Sequence, residues 1–146
     1  MALKNKKELG QNWLRDRGML EAIADEADLS ISDTVLEIGP GLGTLTSELL
    51  RRAGKVVAVE LDSERAAKLP AQFPGKNLTV INEDILSYDL ERLPTGYKVV
   101  ANVPYYITSK IIEKLTTASN RPSVIVILVQ KEVAERIVAH PGGMSI

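Results

Sequence analysis

"EIGPGLGTLT", residues 37–46, decides the fold. It ends the apolar run "TVLEIG" (34–39) and opens "LTSELLRRAG", whose apolar residues recur at three- and four-residue spacing. A strand that turns on glycines straight into a helix is the opening unit of a parallel α/β sheet. Four more β-rich runs follow: "KVVAVEL" (55–61), "NLTVIN" (77–82), "YKVVAN" (97–102) and "SVIVILVQ" (123–130). "SERAAKLPAQF" and "ITSKIIEKLTTA" lie between them with helical spacing, and a further helix is predicted over roughly 18–28. Asp62 or Ser63 is placed to cap one helix and Thr108 or Ser109 another, while Pro70 should break or kink the former. Strands this continuously apolar are buried on both faces. The expected fold is therefore α/β, a doubly wound, mostly parallel Rossmann-like sheet forming one domain over 1–146. "KEVAERIVA" (131–139) reads as a core-facing helix with Lys131, Glu132 and Glu135 in solvent.

Composition narrows the chemistry. Apolar residues make up 45% and charged residues 25% of the 146, ordinary values for a globular domain with a real core. No cysteine is present and His140 is the single histidine, which argues against a disulfide framework or a metal centre. No run is apolar enough to cross a membrane, and the N-terminus lacks a signal-peptide core, so a cytoplasmic location is expected. The net charge of −1 divides unevenly: residues 1–18 carry five cations against Glu8 and Asp16, or +3, leaving −4 for the rest. Such an arm could touch phosphates, but a short basic terminus is more commonly just solvated.

The glycine spacing selects the ligand. A dinucleotide fingerprint needs glycine three places after its second one, where this chain has Thr44, and a P-loop needs Gly-Lys-Ser/Thr, which is absent. What remains, with Gly39 and Gly41 leading, suits a nucleoside ligand without a pyrophosphate. Glu60 ends the second strand 21 positions after Gly39, where a carboxylate accepts from ribose hydroxyls. Asp84, in "NED" (82–84), ends the third strand on the same edge and is placed to accept from an adenine amino group. An acidic residue after a strand is more often a helix cap, yet three such features at successive strand ends point to S-adenosylmethionine.

"NVPYY" (102–106) ends the fourth strand, adjacent to the first in this winding. A nucleobase amine is a poor nucleophile because its lone pair is delocalised into the ring. The Asn102 amide oxygen and the carbonyl of Val103 or Pro104 could accept its two N–H bonds and turn the lone pair toward a methyl donor, so that positioning supplies much of the rate. Pro104 fixes the backbone, and Tyr105 offers a stacking face for a base drawn out of its stack. A turn with half-buried tyrosines is the plainer reading, and the upstream glycine loop and acidic edge disfavour it.

In order and spacing, "LGQNWL" (9–14), "VLEIGPGLGTLT" (35–46), "VAVELD" (57–62), "NEDIL" (82–86), "NVPYYIT" (102–108) and "VQKEVAERI" (129–137) resemble the ribosomal RNA adenine N6-dimethyltransferases, most of all the small-subunit (KsgA) type. The resemblance spans nearly the whole chain. It implies a seven-stranded methyltransferase sheet, S-adenosylmethionine as donor and two adjacent adenines of a small-subunit rRNA hairpin as acceptors. It also implies that Gln11, Asn12 and Leu14 join Gly39, Gly41, Glu60, Asp84, Ile85 and Asn102 as cofactor contacts, with Asn102, Pro104 and Tyr105 catalytic and no metal. Trp13 stands where the family usually has phenylalanine, Val103 where leucine is common, and "HPGGMSI" lacks the usual Ser-Lys after Pro-Gly.

The family continues well past residue 146, with further strands and a small helical domain. The chain is accordingly expected to be a truncated N-terminal catalytic domain that binds cofactor with little turnover. "SVIVILVQ" should then have an unpaired outer edge and promote self-association. Two other functions compete: methylation of large-subunit rRNA, as in macrolide resistance, and non-catalytic binding in transcription or ribosome assembly. Gly10 and the "GPGLGTLT" wording favour the small-subunit type, and intact Asn102, Pro104 and Tyr105 favour chemistry.

Overall fold

A computed structural model describes residues 17–130, 134–140 and 143–145. Helix α1 (Arg17–Ala27) leads into β1 (Thr34–Ile38), α2 (Thr44–Arg52), β2 (Lys55–Val59), α3 (Ser63–Lys68) and β3 (Leu78–Ile81). Then come β4 (Lys98–Pro104), α4 (Thr108–Thr117), β5 (Val124–Gln130), β6 (Ala134–His140) and β7 (Gly143–Ser145). The sheet order is β3-β2-β1-β4-β5-β6-β7, and the first five strands in chain order run parallel. The expected doubly wound α/β sheet is present.

Alternation along the strands builds two cores. Leu36, Val57, Val99 and Ile127 face one side, where Ile111 and Leu115 of α4 and Tyr97 cover them. Val35, Val56, Val100 and Val126 face the other, beneath Ile23 of α1 and Leu49 of α2. Each such side chain contributes about 1.5–3 kcal/mol on burial, which outweighs the modest helix propensity of these short segments. Local signals place the ends. Asp62 caps α3 by accepting from the Arg65 N–H at 3.0 Å, and Pro70 stops α3 and opens a single 3₁₀ turn over 70–72. α4 begins without a side-chain cap; the Thr108 hydroxyl donates instead to the Pro104 carbonyl. Below the sheet, Lys98 ties β4 to the α1–β1 turn through Asp33 at 3.1 Å and the Asp28 carbonyl.

The region after β5 departs from expectation. Residues 134–140 form a strand rather than part of a helix, antiparallel to β5 from Gln130↔Ala134 to Ile125↔Ala139. The bare outer edge expected for β5 is thus paired, and edge-to-edge self-association through it has no support. Unpaired backbone groups beside a buried strand are costly, and that tertiary demand overrides a helical spacing carried by Ile137 and Val138, both β-branched.

Candidate active site

The carboxyl ends of β3, β2, β1 and β4 stand side by side, and the strand order reverses between β1 and β4. Open α/β sheets hold ligands at such an edge. A cavity of about 310 Å³ lies there, within the size of small-molecule sites at roughly 300–1,000 Å³. Gly39, Gly41, Glu60, Asp84, Ile85, Asn102 and Pro104 all line it, so seven of the sequence-predicted residues converge. Tyr105 is not in the lining, whereas its neighbour Tyr106 is. Gln11, Asn12 and Leu14 lie outside the described residues.

Gly39 joins two of these ends. Its φ is +74°, and a Cβ there would sit 2.6 Å from the Asn102 carbonyl oxygen. Its N–H donates to the Val59 carbonyl at 3.0 Å, so one residue is held between β2 and β4. Glu60 organises the next corner. One carboxylate oxygen accepts from the Gly41 N–H at 3.0 Å and the other from the Asp62 N–H at 2.9 Å. Each oxygen can accept a further bond, so this buried carboxylate shapes the glycine loop and retains capacity for a ligand hydroxyl. Asp84 lines the cavity, and its side chain accepts from the Leu86 N–H at 3.0 Å in a tight turn rather than capping a helix.

On the β4 side, Pro104 has φ −60° and its carbonyl receives the Thr108 hydroxyl at 3.2 Å. That bond and the 3₁₀ turn that Pro104 precedes hold the carbonyl in one orientation. The chain then makes a 3₁₀ turn over Tyr105–Ile107, which sends successive side chains about 120° apart. Tyr105 and Tyr106 are 55% and 80% exposed, and Leu42, Leu61 and Leu86 after β1, β2 and β3 are exposed as well. Exposed large apolar groups gathered at one rim mark an interaction site.

Sequence reasoning missed several members. Asn82 donates to the carbonyls of Glu60 and Leu61 at 2.9 and 3.1 Å, clamping the end of β2. A side-chain amide directly after a strand was the available signal. Glu37 is fully buried on β1; one oxygen accepts from the Thr46 hydroxyl at 2.5 Å and the other has no hydrogen-bond partner among the described residues. Burial pushes its carboxyl up to about 7, against the Thr46 hydrogen bond and with help from the negative Glu60. A carboxylate inside an otherwise apolar strand was visible as an anomaly. Among the described residues no acidic, histidine or cysteine cluster could hold a metal, and no helix is long and apolar enough to cross a membrane.

A family model described as ribosomal RNA adenine dimethylase matches residues 2–145. The chain belongs to this family. A ribosomal RNA small subunit methyltransferase A from Dehalococcoides mccartyi (strain CBDB1) is 47% identical over 99% of this chain and 51% of its own length. The protein of the same name from Moorella thermoacetica is 44% identical, over 94% of this chain and 52% of its own length. The chain thus spans about half the length of the curated relatives it matches. Among solved structures, 23S rRNA methyltransferase ErmE superposes with a TM-score of 0.72 at 34% identity, covering 79% of this chain and 46% of that one. A dimethyladenosine transferase from Plasmodium falciparum gives 0.70 at 34% identity, covering 80% and 42%. The fold is that of the class I S-adenosylmethionine-dependent methyltransferases.

Proposed function

We propose that this chain is the S-adenosylmethionine-binding domain, over 1–146, of an enzyme that methylates the N6 amine of adenines in small-subunit rRNA. The observation that carries this reading is the approach of the glycine loop to the Asn102 carbonyl, which brings a nucleoside cavity and an amide-proline-tyrosine motif to one edge. The cavity fits the cofactor. Beside Gly41 an added Cβ would meet nothing nearer than Arg65 at 3.9 Å, so the loop leaves a cradle open to a ligand. When bound, S-adenosylmethionine supplies a methyl group activated by its sulfonium.

This chain's residues do the rest. Glu60 accepts from the ribose, Asp84 from the adenine amine, and Ile85 with the exposed Leu61 provides apolar walls. Gln11, Asn12 and Leu14 are assigned to the same cofactor on the family pattern. The Asn102 amide oxygen and the Pro104 carbonyl, already oriented by Thr108, accept the two N–H bonds of the target amine. Its lone pair would thereby be turned toward the methyl group of a bound donor, and the nitrogen would release its proton to solvent after transfer. Tyr105 stacks on the base. Alignment of this kind needs no general base.

Small-subunit rRNA is the proposed partner because the relatives at 47% and 44% identity carry that subunit in their names, whereas the 23S enzyme stands at 34%. A cytoplasmic location rests on that substrate alone. The test is tritiated methyl transfer to purified small- and large-subunit particles in single turnover, with this chain and a full-length relative side by side. The expected product is N6-methylated adenine in the small subunit, with slow turnover by this chain. Asn102→Ala should abolish transfer while calorimetric affinity for cofactor falls much less. Near-normal transfer by that variant would refute the alignment, and labelling confined to the large subunit would refute the substrate.

A further inference from the structure

A second cleft, of about 290 Å³, shares no residue with the cavity above. Ser47, Leu50 and Arg51 of α2 line one side, and Phe73 and Lys76 of the α3–β3 connection line the other. Residues three and four apart on a helix project to one face, so the Ser47 hydroxyl and the Arg51 guanidinium border the same opening. The opposite wall is fastened in place: Asn77 donates to the Gly54 carbonyl at 2.8 Å, and the Lys76 N–H donates to the Phe73 carbonyl at 3.2 Å. Among the described residues no acidic side chain lines the cleft.

The charges at this cleft are uncommitted. Arg52 pairs with Asp25 and Glu48, Lys68 with Glu64 and Lys98 with Asp33. The side chains of Arg51 and Lys76 have no ion-pair or hydrogen-bond partner among the described residues. Two cations and a hydroxyl around a half-buried aromatic ring match the chemistry of one nucleotide, with phosphate held by the cations and base laid on the ring. A chain with a net charge of −1 has no general attraction for a polyanion, so any grip on RNA must come from such local sites.

We infer that this cleft is a second RNA contact outside the active site, seating a backbone phosphate between Arg51 and Lys76 with an unpaired base against Phe73. The inference rests on the RNA reading above. The cleft is open and draws on two side-chain cations, so it contributes to holding a polymer rather than capturing a free nucleotide.

The experiment measures binding of a fluorescent single-stranded 12-nucleotide oligoadenylate to this chain across a salt series, with S-adenosylmethionine calorimetry in parallel. Reversal of both charges, Arg51→Glu with Lys76→Glu, should lower the slope of log affinity against log salt by about 0.7, the value for one phosphate contact on a single strand. The paired Arg51→Lys and Lys76→Arg variant should keep the slope. Phe73→Leu should keep the slope and weaken binding about tenfold, as expected for one lost stack. Cofactor affinity should not change in any of them. An unchanged slope in the charge-reversed protein overturns the site, as does a parallel loss of cofactor affinity, which would show a disturbed fold. AMP competing as well as the 12-mer, molecule for molecule, overturns the polymer assignment. Failure of the wild-type chain to bind RNA also overturns it, and leaves the methyl-transfer assay to judge the proposed function separately.

Discussion

Gly39→Ala tests whether the backbone contact at the centre of the site sets the geometry. Gly75 supplies the control, because it has nearly the same φ, +75° against +74°, with nothing within 4 Å of an added Cβ. Both alanines meet the left-handed backbone cost of about 1–2 kcal/mol. At Gly39 the new Cβ also lands 2.6 Å from the Asn102 oxygen, closer than the 3.0 Å that Cβ contacts respect. The obstructing atom is backbone of β4, where Asn102 pairs with Leu128 of β5, so it cannot swing aside. Overpacking of this kind costs about 1–3 kcal/mol more. The sum is roughly 2–5 kcal/mol, which at about 2–4 °C per kcal/mol for a domain of this size lowers Tm by roughly 5–20 °C. Gly75→Ala should lower it by only about 2–8 °C on the same scale. Thermal melts by circular dichroism, with S-adenosylmethionine calorimetry below the transition, make the comparison. Gly39→Ala should also weaken cofactor binding and Gly75→Ala should not. Equal Tm losses and equal affinities in the two variants would refute the reasoning.

Glu60→Ala should weaken cofactor binding at least tenfold in calorimetry, since each hydrogen bond to a charged group is worth about 1.5–3 kcal/mol; unchanged affinity removes Glu60 from the site. Glu37 is raised from 4.5 to about 7 in the folded chain, so its contribution to stability is fully present below pH 4.5 and lost as pH rises through 7. Glu37→Gln should therefore gain on the wild type between pH 5 and pH 8, by up to about 3 kcal/mol, and parallel Tm–pH curves would contradict this. Tyr105→Phe should transfer methyl groups nearly normally and Tyr105→Ala poorly; a large loss with phenylalanine would assign the work to the hydroxyl rather than the ring.

Much of the site was legible because its signals are local. Glycines after an apolar run, Glu60 and Asp84 at strand ends, and Pro104 after Asn102 each report a constraint felt within a few residues. The Asp62 cap and the Pro70 break were visible for the same reason. What escaped depends on distant partners. The strand pairing of 134–140 is decided by an open ladder on β5, not by the spacing within "KEVAERIVA". The lining of the cavity by Tyr106 follows from a 3₁₀ turn that no single residue announces. Asn82 looks like any polar strand end until the Glu60 and Leu61 carbonyls are placed before it. Glu37 escaped because only the packing of α2 on β1 shows that Thr46 satisfies one oxygen while no described residue satisfies the other.

The architecture also explains why the proposed donor and acceptor sites stay in register in so small a domain. They sit on neighbouring parallel strands, β1 and β4, paired from Val35↔Lys98 to Ile38↔Ala101. Beyond that ladder, Gly39 leaves no room for a Cβ against the Asn102 carbonyl on one side and donates to Val59 on the other. Glu60, one residue past Val59, fixes Gly41, and Asn82 fixes Glu60. The glycine loop and the end of β4 therefore meet through main chain at Gly39, with the Glu60 and Asn82 side chains bracing the β2 side. An aligned displacement is sensitive to sub-ångström error in the reacting distance, and main-chain contacts hold such a distance better than flexible side chains. Tyr105 and Tyr106, by contrast, stand exposed beyond the last backbone anchor, so in the proposed reaction adjustable rings would meet the incoming base while the main-chain contacts beneath hold the alignment.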